Sequence, residues 1–236
     1  MGREEKLGSR GLSIIVPTLN EAAVVVSFLE SLQSLRQEGA ELILADGGSR
    51  DGTVGLAAPL VDRTLTTPRG RALQMNAGAR VAEGEVLLFL HADSCLPHGA
   101  ARLILEGLRD SGRSWGRFDV RLSGAHPLLR AIEFLMNLRS RLTGIATGDQ
   151  AMFVTGEAYR AAGGFPEIAL MEDIAMSARL KRAGAPLCLD ACVVSSSRRW
   201  ESRGILRTVV LMWRLRLSYF LGADPERLAR IYYREA

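Results

Sequence analysis

Residues 12–53 read LSIIVPTLNEAAVVVSFLESLQSLRQEGAELILADGGSRDGT. The apolar run LSIIV at 12–16 is followed by helical spacing in NEAAVVVSFLESLQSL and then by a second apolar run, ELILA at 41–45. Short apolar runs on either side of a helical pattern read as buried parallel strands, so this stretch is a βαβ beginning, with Asn20 as the expected helix N-cap. Outward from it, RGRALQMNAGARVAEG has helical spacing and leads into a third run, VLLFL at 86–90. The alternation predicts an α/β fold with a doubly wound, mostly parallel sheet, whose ligands collect at the carboxyl ends of the strands. Polar residues follow each run there: PTLNE at 17–21, DGGSRDGT at 46–53 and HADS at 91–94.

After residue 116 the pattern changes. RFDVRL at 117–122 and QAMFV at 150–154 read as strands around a helix from Pro127 to Leu142, which makes the sheet mixed. No repeat, low-complexity block or linker divides the chain, and 236 residues suit one domain. The organisation expected is a tail at 1–11, a domain at 12–204 with a nucleotide-binding half at 12–95 and an acceptor half at 96–204, and a helical extension at 205–236.

Composition narrows the function classes. Hydrophobic residues at 47% and charged residues at 24% exclude both wholesale disorder and a polytopic membrane protein. A net charge of +4, from 30 basic against 26 acidic residues, is too small a bias to argue for nucleic acid. Cys95, Cys188 and Cys192 form no CxxC pair and no even-numbered disulfide framework, and MGREEKLGSRG has no apolar leader core, so the expectation is a cytoplasmic protein.

The segment ILRTVVLMWRLRLSYFLG at 205–222 is apolar but carries Arg207, Arg214 and Arg216, which argues against a membrane span. On a helical wheel Arg203, Arg207, Arg214 and Ser218 form one stripe, with Val209, Trp213 and Phe220 elsewhere. Such a helix either packs on the core or lies on a partner or on the inner face of a membrane through 203–222, and both readings stand.

Four clusters carry chemistry. Asp46 ends a strand in a glycine-rich loop, where its carboxylate can accept from a base or ribose, although Asp and Gly are also the residues of an ordinary turn. His91 and Asp93, two apart on an extended chain, share a face and could hold a divalent ion against a diphosphate; alternatively His91 hydrogen-bonds within its loop. Glu172 and Asp173 start a helix, where acids complement the dipole and where one could also deprotonate a hydroxyl. Finally, SSSRRWESRG at 195–204 joins two arginines to a tryptophan, suited to a diphosphate and a sugar or base, and common on plain surfaces too.

In this order, SIIVPTLNE, ADGGSRDGT, HADS, MEDIAMSARL and SSRRW resemble the motifs of the family 2 glycosyltransferases, whose nucleotide-sugar-binding fold is called GT-A. Within that family GDQAMFV, GGFPEIALMED and SSRRWESRG look like the bacterial radical-SAM/selenodomain-associated transferases, type 2. The resemblance covers residues 12–204 and implies an inverting hexosyl transfer from a nucleoside-diphosphate sugar, usually UDP-linked, to a hydroxyl acceptor, which a lipid could carry. It places Pro17, Thr18 and Glu21 around base and ribose, Asp46 on the base, and Arg71 near the nucleotide. It also implies a divalent cofactor, Mn²⁺ or Mg²⁺, on Asp93 and His91, Asp173 as the base beside Glu172, and Arg198, Arg199 and Trp200 over the diphosphate or acceptor. Gly148, Asp149 and Gln150 would line the acceptor side. Two positions depart from the pattern: His91 replaces the usual first aspartate of the metal motif, and Ser196 or Ser197 stands where glutamine is common. The other classes considered are a nucleotidyltransferase acting on a sugar phosphate, although PTLNEAAVV lacks its basic glycine-rich loop, and a non-catalytic nucleotide-sugar-binding protein.

Overall fold

β1 (Leu12–Thr18) lies at the centre of the architecture, because its residues are apolar on both faces. Ile14 and Val16 point into one core and Ile15 into another, as alternation along a strand requires. A computed structural model describes residues 11–235; the side chains of Arg199 and Glu235, Ala236 and all but the last residue of the expected tail lie outside the described residues. After β1 come α1 (Val25–Ser31), α2 (Gln33–Gln37), β2 (Glu41–Asp46), α3 (Thr53–Ala57), β3 (Arg63–Thr66), α4 (Arg71–Val81), β4 (Val86–Phe89) and β5 (Ser94–Cys95). The remainder is α5 (Ala100–Ser111), β6 (Trp115–Leu122), α6 (Pro127–Thr143), β7 (Phe153–Thr155), α7 (Gly156–Ala161), α8 (Glu172–Leu180), β8 (Leu187–Ser195), α9 (Arg198–Arg203), α10 (Ile205–Phe220) and α11 (Pro225–Glu235).

The strands form one sheet in the order β3-β2-β1-β4-β7-β6-β8-β5. Neighbours pair in parallel from β3 through β4 and again between β6 and β8, whereas β7 runs antiparallel to both its neighbours and β5 runs antiparallel to β8. This is the mixed, mostly parallel sheet predicted, with helices on both faces.

Several expectations are corrected. Asn20 is not a helix cap: it sits at φ 56°, α1 begins only at Val25, and its side-chain oxygen accepts from Arg50 N at 3.0 Å. The run QAMFV is a strand only from Phe153; residues 148–150 form a 3₁₀ turn capped by Thr147. β3, β5 and β8 were not legible as strands. α10 packs one face on the body through Thr208, Leu211 and Leu215, which realises the core-packing reading for that face. Together with α11 it closes a third apolar cluster over the start of α8, joining Leu211, Leu215 and Tyr232 to Leu170, Met171 and Ile174. Among the described residues no helix is long and apolar enough to cross a membrane.

Candidate active site

The carboxyl ends of β1 and β2 are bound into one surface. Gln74 of α4, buried, donates from Nε2 to the carbonyls of Thr18 and Ala45 at 2.7 and 2.8 Å, and Gly47 N donates to Thr18 O at 2.9 Å. Beyond them the two loops are laced: Asn20 N to Ser49 Oγ, Glu21 N to Thr53 Oγ1, and Ala22 N to Asp51. Asp46 spends its carboxylate on its own turn, accepting from Gly48 N and Ser49 N at 2.8 and 2.7 Å and from Ser49 Oγ. Pro17 is half-buried in β1 beside Thr18, whose buried hydroxyl has no hydrogen-bond partner, an orphaned polar atom at the strand end where α/β folds receive ligands.

Glu21 faces Asp93 across this crevice. Burial, then the negative charge of Asp93, pushes its carboxyl above the ordinary value, and Arg198 pulls the other way. Arg198 is otherwise exposed and its Nε donates to Ser196 Oγ at 3.2 Å. The side chain of Arg199 lies outside the described residues.

From Asp93 the crevice deepens into a cavity of about 150 Å³ lined by Arg71, His91, Gly148, Asp149, Glu172, Asp173 and, at its mouth, Ser196 and Trp200. The first turn of α8 fixes the position of Asp173. Its Oδ1 accepts from Ile174 N at 2.7 Å and its Oδ2 from Gly148 N at 2.9 Å. Glu172 is 5% exposed; burial, then the neighbouring Asp173 charge, lifts it to about 7 although Arg71 opposes this. Arg71 loses solvation in the same place, but Glu172, Tyr233, Asp149 and Asp173 more than offset that loss and keep it charged.

His91 packs against Gly148: a Cβ at residue 148 would come within 2.6 Å of Nε2. Burial, then Arg71, lowers the imidazole below its ordinary value, while Asp149, Asp93 and Asp173 act the other way; the shift favours the neutral form, which is the one that ligates a metal. Among the described residues no three His, Cys, Asp or Glu side chains gather into a full metal cage. One neutral imidazole and one carboxylate suit a divalent ion whose remaining oxygens come from substrate phosphates and water.

Gln150, predicted for the acceptor side, does not line the cavity. It is fully buried, donating to Asn137 Oδ1 at 3.3 Å and accepting from Thr147 N. The sequence reading also missed Arg139 and Arg216, from α6 and α10, which line a groove beside Asp149 and Trp200. Among the described residues three non-glycine residues hold positive φ, Asn20 (56°), Ala151 (46°) and Met171 (71°), and Met171 lines the cavity. Such backbone costs of order 1 kcal/mol or more each and persists only where the surroundings over-determine it.

The fold is shared with solved glycosyltransferases. A mannosyltransferase from Pyrobaculum calidifontis, in complex with GDP-Man and Mn²⁺, superposes with a TM-score of 0.64 at 22% identity over 95% of this chain and 68% of that one. TarS of S. aureus in complex with UDP gives 0.64 at 16% identity over 79% and 60%. The sheet is therefore that of the GT-A fold. Residues 13–161 match the model of Glycosyl transferase family 2, and the chain belongs to that family. Among curated relatives, a PGL/p-HBAD biosynthesis glycosyltransferase of Mycobacterium bovis is 43% identical over 91 residues, which is 36% of each chain. Succinoglycan biosynthesis protein ExoA of Rhizobium meliloti is 28% identical over 201 residues, 76% of this chain and 61% of that one. The chain thus spans about a third of the length of the first of these relatives.

Proposed function

We propose that the chain transfers a hexosyl group from a nucleoside-diphosphate sugar to a hydroxyl, with inversion at the anomeric carbon and Asp173 as the base. The observation that carries this reading is the Asp173 carboxylate, fixed by two backbone N–H groups in the cavity that also holds His91, Asp93 and Arg71.

In this reading Pro17, Thr18 and Glu21 receive base and ribose in the crevice, and Asp46 keeps that crevice in shape by closing the facing loop. A divalent ion on Asp93 and His91 would neutralise charge on the diphosphate. Arg71, held charged by the acids around it, draws the leaving oxygens toward the cavity. Asp173 accepts the proton of the acceptor hydroxyl as that oxygen bonds to the anomeric carbon, and the bond from that carbon to the diphosphate oxygen breaks on the opposite face. One displacement inverts the centre without a covalent sugar–protein intermediate. Asp149 and Trp200, on the outer wall, border the space for the acceptor.

The test is a panel of nucleotide sugars assayed for nucleoside-diphosphate release with Mn²⁺, Mg²⁺ or a chelator. Release from one donor that stops with chelator supports the reading. Donor binding without release from any of them replaces it with a non-catalytic binding protein.

A further inference from the structure

The cavity does not end at Asp149. Sharing Asp149, Trp200, Met212 and Arg216 with it, a groove of about 860 Å³ runs out between α6 and α10, at the upper end of the sizes that hold small-molecule ligands. Its walls are apolar: Leu135 and Met136 from α6, and Val210, Trp213, Leu217 and Phe220 from α10. Four of these stay largely uncovered, with Val210, Trp213, Leu217 and Phe220 each more than 60% exposed. Their spacing of three or four residues makes a continuous stripe down one side of the helix. α10 therefore carries a second apolar row, facing outward, besides the Leu211 and Leu215 that it buries, where an ordinary surface helix would be polar.

The inner end of the groove has the opposite character. Arg139 and Arg216 meet there, and Arg139 Nε, one terminal nitrogen of Arg139 and Arg216 Nε are buried without hydrogen-bond partners. Burial, then the charge of Arg216, pulls Arg139 down to about 10, with Asp173 and Asp149 offsetting only part of this. Buried donors of a charged group are costly to leave unpaired, and guanidinium groups match phosphate oxygens in geometry as well as charge. The apolar face of a second chain, or the hydrocarbon of a bilayer, would cover the stripe without pairing these donors. An amphiphile does both.

We propose that this groove binds the acceptor as an anionic, single-chain amphiphile, with its phosphate or similar group on Arg139 and Arg216 and its hydrocarbon chain between α6 and α10. Its hydroxyl then faces Asp173, and this last part rests on the transfer chemistry proposed above.

Lysophosphatidic acid below its micelle concentration is a suitable probe, since it has a hydroxyl, a phosphate and one chain, and Trp200 and Trp213 in the groove wall report its binding by fluorescence. It should bind at least about tenfold tighter than glycerol 3-phosphate, which lacks the chain, or a monoacylglycerol, which lacks the phosphate. The double variant R139Q/R216Q should lose the advantage over monoacylglycerol. L217D, at an exposed position, should weaken both chain-bearing probes alike. Equal binding of the three probes, unchanged preference in R139Q/R216Q, equal affinity for phosphatidylcholine vesicles, or a dimer in sedimentation that excludes the probes would each overturn the proposal. Nucleoside-diphosphate release is followed in parallel. Its absence with the binding preference intact removes the transfer reading and leaves the groove; release with no preference removes only the groove.

Discussion

The backbone N–H of Gly148 donates to Oδ2 of Asp173 at 2.9 Å, tying the 3₁₀ turn at 148–150 to the first turn of α8. The acid proposed as base is therefore aimed by a residue 25 positions away in the chain, and Asp173→Asn removes its basicity while keeping its shape. We expect kcat to fall by about 10²–10⁴ with nucleotide-sugar affinity within about threefold of the parent. Turnover and equilibrium binding of the donor, measured on one preparation, check this; undiminished turnover would eliminate Asp173 as the base.

Gly148 serves His91 as well, because any Cβ there collides with the imidazole ring. Gly148→Ala must push the ring aside. If His91 holds the ion with Asp93, the variant needs a higher Mn²⁺ concentration for half-maximal activity and loses about 10²-fold at fixed metal. A metal titration that overlays the parent's would remove His91 from the ligand set.

Glu172 supplies a pH dependence of stability. Its carboxyl rises from 4.5 to about 7 on folding, so between those values the folded state binds the proton and the unfolded state does not. Stability contributed at low pH is then lost as pH rises through that window. Glu172→Gln cannot ionise, so its melting temperature relative to the parent should climb from pH 5 to pH 8. A constant difference across that range would contradict the assignment.

Away from the site, Glu41 is wholly buried at the start of β2, where it accepts from Ser13 Oγ at 2.5 Å, Glu83 N at 2.9 Å and Arg63 Nε at 3.0 Å. Glu41→Ala leaves the Ser13 hydroxyl and the Glu83 N–H without their acceptor, while Arg63, 41% exposed, keeps water and Glu83; it should cost about 1–3 kcal/mol, read as a lower denaturant midpoint at unchanged slope.

The parts that the sequence made legible share one property, a local pattern that carries the whole signal. β1, β2 and β4 are buried on both faces, so continuous apolar runs mark them. β3 is a mostly exposed edge, RTLT, β5 has two residues, and β8 mixes buried with exposed positions, so none shows a clean period. The same divide runs through the site. His91, Asp93, Glu172 and Asp173 sit in short motifs at element ends and are brought to one cavity. Arg139 and Arg216 lie within long helices 77 positions apart by their numbering, and only the packing of α10 beside α6 makes them neighbours. Gln150 shows the converse: a polar residue inside a suggestive motif whose partners, Thr147 and Asn137, are structural.

The apolar cluster that seats α10 and α11 on Leu170, Met171 and Ile174 sets a rule for recombining this protein with its relatives. The family match stops at residue 161, yet Asp173 and much of its surroundings lie beyond that point and rest on the last two helices. A chimera joined at 204 would set a foreign C-terminal pair against this α8 and misplace the acid. Exchangeable units must run from the loop before Leu170 through Tyr232, so the start of α8 can be swapped only in a block that includes the helices at the end.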